Sequence, residues 1–139
     1  MFHSRRTPPG RRDARRGVAA SELAVCLPVI VLLVLAMIEA CTMIFLKQSL
    51  TVAAYEGVRT ALNEQAGAAD VRATCDAVLR DRRVQSGRVT VRPTNIQSLE
   101  PGEYIEVTVS APAGANSVIP GSFFRGRTLT ATATMMKEF

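Results

Sequence analysis

Leu23 to Ile38 reads LAVCLPVIVLLVLAMI, sixteen residues without a charge. Val18–Ser21 extends the apolar run backward and Ala40–Leu46 extends it forward, interrupted only by Glu22 and Glu39. As one helix, residues 18–46 would rise roughly 43 Å at ~1.5 Å per residue, against a hydrocarbon core of ~30 Å. That length crosses a bilayer and leaves a remainder for the interface. Pro28 lies inside the run, where it removes one helical hydrogen bond and predicts a kink. Membrane helices tolerate this where neighbours satisfy the freed carbonyl.

Charge flanking the run gives its direction. Arg5, Arg6, Arg11, Arg12, Arg15 and Arg16 precede it, and Lys47 follows it. An excess of arginine on one side holds that side in the cytoplasm. The expected organisation is therefore a basic cytoplasmic leader (1–17), a transmembrane helix (18–46), and a translocated stem and head (47–139). In a bacterial cell this is a single pass through the inner (cytoplasmic) membrane, with a periplasmic or extracellular head. A cleavable secretory signal fits less well, because its apolar region is shorter. Ile38-Glu39-Ala40-Cys41 faintly resembles a lipoprotein cleavage box, but it lies late and carries an acid before Ala40.

The net charge of +5 does not point to nucleic acid. The six leader arginines and Asp13 account for all of it, and the other eleven Lys/Arg balance eleven Asp/Glu. The head thus has no basic excess to track phosphates. Without Trp, and with few aromatics, it also lacks a stacking platform. Cys26 and Cys41 are fifteen residues apart, about 22 Å along a helix, and cannot bridge within one chain. Cys75 has no partner in the head. The cysteines read as small packing residues, with intermolecular bridging or acylation as the alternatives.

Two acids interrupt the run. Glu22 stands near its start, at headgroup level or facing a partner. Glu39 is seventeen residues on, about 25 Å along the axis. It either snorkels to the far interface or meets a neighbouring chain.

Arg15-Arg16-Gly17-Val18-Ala19-Ala20-Ser21-Glu22 resembles the processing site of type IV pilins and pseudopilins. It has a basic leader, a glycine, and a glutamate five positions later. The resemblance implies that a prepilin peptidase cuts between Gly17 and Val18. It also implies that Glu22 then pairs with the free N-terminal amine of a neighbouring subunit. Gly17–Leu27, Ile38-Glu39-Ala40 and Ala53-Ala54-Tyr55-Glu56-Gly57-Val58-Arg59 together resemble the TadE-like pseudopilins of the tight-adherence (Flp) pilus system. Ala54, Glu56, Gly57 and Arg59 carry the stem motif. The partners so implied are other pilin or pseudopilin subunits, the prepilin peptidase and an inner-membrane assembly platform.

Beyond the run, Leu50, Ala54, Val58, Ala61 and Leu62 recur at helical spacing through Lys47–Gln65. Gly57 weakens this helix, which points to close packing against it or to a binding motif. Gly67 breaks the pattern. Asp70 then opens a short second helix with Val71, Cys75, Val78 and Leu79 on one stripe. The run Arg80–Arg83 at its end reads as a polar face or cap, or as a site for an acidic partner. From Gly87 the period becomes two: Val89 and Val91; Ile105, Val107 and Val109; Leu129, Ala131, Ala133 and Met135. These are three strands of an antiparallel sheet packing one face on the helices, with a tight turn at Pro101-Gly102. Ala111–Gly126 reads as a loop whose Phe123 and Phe124 plug the core or dock a partner. The fold class is α+β and pilin-like in order.

Catalytic chemistry is not visible. His3 is the one histidine and lies in the leader. There is no nucleophile elbow, phosphate-cradling loop or metal-ligand spacing, so no cofactor, metal or small-molecule substrate is expected. The best reading is a non-enzymatic minor pseudopilin. The alternatives are an untrimmed membrane-tethered binding module and an accessory subunit of an envelope complex.

Overall fold

The computed structural model describes residues 11–119, 124 and 126–138, with side chains described from Gly17 onward. Leader residues 1–10, the side chains of Arg11, Arg12, Arg15 and Arg16, and Phe123 lie outside the described residues. The element order is α1 (Arg11–Ala61), α2 (Ala68–Asp81), β1 (Arg88–Arg92), β2 (Tyr104–Pro112), the 3-10 turn η1 (Ala113–Ala115) and β3 (Thr128–Met136). This is the expected α+β order. Chain contacts divide the molecule into two units, Met1–Met37 and Ile38–Phe139.

The first unit is helical from Arg11, and its described side chains are exposed. Val25, Leu32, Leu33 and Met37 each expose more than 60 % of their surface. Such a run of bare apolar side chains is not sustained in water. α1 is the one described helix long and apolar enough to cross a membrane.

In the second unit, α1 changes character. Glu39, Met43, Leu46, Leu50, Ala54, Val58 and Ala61 recur at three- and four-residue steps and are all buried. The stem periodicity is therefore a core face. α1 stops at Ala61, where Leu62 N and Asn63 N donate to the carbonyls of Arg59 and Thr60, three residues back. The sequence pattern runs on to Gln65, but these tighter turns end the helix earlier.

α2 begins at Ala68, two residues before the expected Asp70. Gly67 holds the cap position, and the Asp70 carboxylate accepts from its N–H at 2.8 Å. An acid in the first turn satisfies an orphan donor and opposes the helix dipole. Val71, Cys75 and Leu79 are buried as their spacing predicts, and Val78 is half-buried.

The sheet is antiparallel in the order β1-β2-β3. Central β2 alternates throughout, with Ile105, Val107, Val109 and Ala111 inward. Val107 pairs with Val91 on one side and Ala133 on the other. The connection between β1 and β2 is longer than a tight hairpin: residues 93–103 form it, and Ile96 plugs the core. Pro101-Gly102 turns at its far end, where Gly102 adopts φ +98° and donates to Lys137 O at 2.8 Å. The expected loop from Ala111 starts later, because β2 continues to Pro112 and η1 buries Ala113.

Leu50 is fully buried where α1 meets the head core. Replacing it with alanine leaves a cavity, and Leu50→Ala is expected to destabilise the head by about 2–5 kcal/mol. Chemical unfolding of the detergent-solubilised chain, followed by circular dichroism, measures this.

Candidate functional site

The residues expected to matter fall in three places along α1. Gly17, Val18 and Glu22 lie in the first unit and are exposed. Gly17 lies within α1, and a Cβ built on it meets no described atom within 4 Å outside its own stretch of helix. Ser21 Oγ donates to Val18 O at 2.7 Å, occupying the hydroxyl locally. Among the described residues, Glu22 has no ion-pair partner.

Glu39 is in a different setting. Among the described side chains of α1 it is the first buried one, 2 % exposed. Ser117 Oγ, from the segment after η1, donates to its Oε1 at 2.5 Å. Among the described residues, its Oε2 has no partner. The acid thus ties the η1 segment to α1 through one oxygen. Sequence reasoning missed Ser117, because no local pattern announces a partner seventy-eight residues away.

The stem motif separates into a buried part and an exposed part. Ala54 and Gly57 face inward, whereas Tyr55 and Arg59 are exposed and Glu56 is half-exposed. The glycine has a steric reason. A Cβ on Gly57 would stand 2.4 Å from Cys75 Sγ, 3.2 Å from Val107 Cγ1 and 3.5 Å from Val71 Cγ1. Gly57 is therefore where α1, α2 and β2 converge. The small residues beside it bring the backbones close enough for the Cys75 thiol to donate to Ala53 O at 3.3 Å. Of the two readings of this glycine, close packing is the one realised. Glu56 and Arg59 face each other at 4.0 Å on the surface, a pairing worth only a few tenths of a kcal/mol.

Asn116 is a second bonding side chain that the sequence did not signal. Its Oδ1 accepts from Gln85 N at 2.7 Å, and its Nδ2 donates to Gln85 O at 3.0 Å and Pro112 O at 2.9 Å. It staples the turn after α2 to the end of β2. Phe124 is half-buried. Among the described residues, no group of three His, Cys, Asp or Glu side chains gathers to hold a metal.

Residues 17–59 match the family model described as TadE-like protein. Over those residues, which hold the apolar helix and the stem, the chain is similar to TadE-like proteins. The match starts at Gly17 and ends at Arg59, so it takes in the anchor and the whole stem motif. The second helix and the sheet lie outside it. No curated protein and no solved structure matches the chain.

Two predictions follow from the Gly57 junction. Gly57→Ala gains about 1 kcal/mol of helix propensity but overpacks the core, an effect of about 1–3 kcal/mol. The net change is expected to be destabilising, and adding Cys75→Ala should restore stability by emptying the clashing position. A double-mutant cycle of unfolding midpoints reads both. The second concerns the thiol itself. Burial, with help from the Asp76 carboxylate, raises the Cys75 pKa from 9.0 to about 11. The folded state disfavours the thiolate, so the stabilisation is full below pH 9.0 and fades as pH rises through about 11. Melting temperatures across that window should fall more steeply for the parent chain than for Cys75→Ala.

Proposed function

We propose that the protein is a minor pseudopilin that helps assemble a tight-adherence pilus or a related secretion apparatus. On this reading a prepilin peptidase trims it between Gly17 and Val18. The observation that carries the proposal is the TadE-like match, which opens at Gly17 with Glu22 five positions on. The unpaired state of Glu22 among the described residues supports it.

The membrane span is Val18–Ile38 on this reading. Those twenty-one residues rise about 31 Å at ~1.5 Å per residue, close to the ~30 Å hydrocarbon core. Burial in the protein begins at the next residue, Glu39. The arginine leader stays in the cytoplasm of a bacterial cell, and the head is translocated across the inner membrane.

Trimming would create an N-terminal amine at Val18. An amine and a carboxylate at ~4 Å attract by roughly 4 kcal/mol at an effective dielectric near 20. Each also relieves the other's burial cost in the bilayer, so Glu22 has reason to seek the amine of a second subunit. The role is structural and non-enzymatic. The partners are other pilin or pseudopilin subunits, the peptidase and the assembly platform.

Mass spectrometry of the protein from its native host should find Val18 as the first residue. An intact leader favours the untrimmed tethered module instead. Glu22→Ala should leave membrane insertion unchanged while reducing recovery in the assembled complex by on the order of tenfold, the equivalent of about 1.4 kcal/mol. Normal recovery of that variant contradicts the pairing role.

A further inference from the structure

We propose that the groove between α1 and the end of α2 docks the head onto anionic phospholipid headgroups. This surface rests on the reading of Val18–Ile38 as the membrane span.

The groove encloses about 630 Å³ and belongs wholly to the second unit. Thr42, Phe45 and Leu46 of α1 form one wall, Arg82 and Arg83 the other, and Asn116 the end. Phe45 is 51 % exposed and Ile44, next to it, 59 %. Phe45 follows Ile38 by seven residues, about 10 Å of helical rise, while the headgroup layer extends roughly 5–8 Å beyond the hydrocarbon core. Helical side chains lean toward the N-terminus, so Phe45 reaches back toward the bilayer. An apolar side chain beside cations at this depth matches the interfacial layer of a membrane.

The charge is complementary to phosphate. Asp81 is the one acid lining the groove, against two arginines. Among the described residues, neither Arg82 nor Arg83 has a carboxylate within ion-pair distance. Lys47 is close by, beside Arg82 in an adjoining groove, but its ammonium already donates to Thr130 O. The two arginines are therefore the cations free to meet lipid phosphates, for which the planar guanidinium is suited.

Arg83 is also placed against its own backbone preference. α2 ends in a Schellman arrangement: Val84 N donates to Leu79 O at 2.8 Å and Arg83 N to Arg80 O at 2.9 Å. The residue between adopts φ +57°, the left-handed position that glycine ordinarily fills. Arg80 already supplies the basic residue of the last helical turn. A bulky cation held in a disfavoured conformation at a groove rim is explained by what its side chain contacts.

The test uses the full-length chain in nanodiscs of phosphatidylcholine, alone or with phosphatidylglycerol. Amide hydrogen exchange is followed at residues 80–85, with residues 71–79 of α2 reporting the fold. The anionic lipid is expected to slow exchange several-fold, on the order of fivefold for each arginine. High salt should reverse the slowing. Arg82→Glu with Arg83→Glu should abolish it while leaving residues 71–79 unchanged. Arg83→Gly should raise the melting temperature yet lose part of the lipid response, separating lipid contact from stability. Equal exchange in both lipids, or a lipid response unaltered in the double variant, overturns the surface. Protection that grows with the number of chains per disc, independent of lipid charge, assigns the groove to a second copy and also overturns it. Release of the chain from vesicles by alkaline carbonate overturns both the surface and the span it rests on.

Discussion

Burying the apolar face of α1 has two different solutions along one helix, and everything else in the molecule follows from where they meet. Through Val18–Ile38 the helix shows apolar side chains on every side and keeps none of them within the protein. A hydrocarbon phase suits such a surface, because a helix closes its own backbone hydrogen bonds. From Glu39 the head covers one face of the helix, while Ile44 and Phe45 stay exposed on another. A head this small buries little surface alone, so borrowing half of a long helix enlarges its core. The anchor and the fold therefore share an element, and neither is a separable tag on the other.

That sharing explains the composition of the stem. A helix that must lie against both α2 and the sheet needs small residues where the three meet. Ala53, Ala54 and Gly57 supply them, and Cys75 fills the remaining space. The glycine lowers helix propensity but permits an approach that a single methyl group would block. The Gly57 of the TadE-like match thus has a packing role in this chain, while its neighbours Tyr55 and Arg59 remain on the surface.

Features carried by period were legible in the sequence. Alternation in Ile105–Val109 and Leu129–Met135 gave the sheet its inward face, and the stripe from Val71 to Leu79 gave α2 its buried side. The glycine–glutamate spacing and the stem motif were enough to point to the TadE-like match. Features made by distant contacts were not legible. Hydropathy treats Met43 and Leu46 alike whether lipid or protein covers them, so the apolar run overshoots the point where burial begins. Ile96 sits in a stretch without periodicity. Ser117 and Asn116 bond across the fold to Glu39 and Gln85 and leave no local mark. Arg83 occupies a glycine position, so the usual signal for that helix end is missing.

The central claim is that the bilayer encloses the helix up to Ile38 and releases it at Glu39. Two native thiols straddle that boundary, since Cys26 and Cys41 both lie on exposed faces of α1. Labelling native membranes with a charged, water-soluble maleimide, followed by peptide mass spectrometry, compares them directly. The account predicts rapid modification of Cys41 and protection of Cys26 until detergent dissolves the membrane. Modification of Cys26 as fast as Cys41 in intact membranes would contradict it.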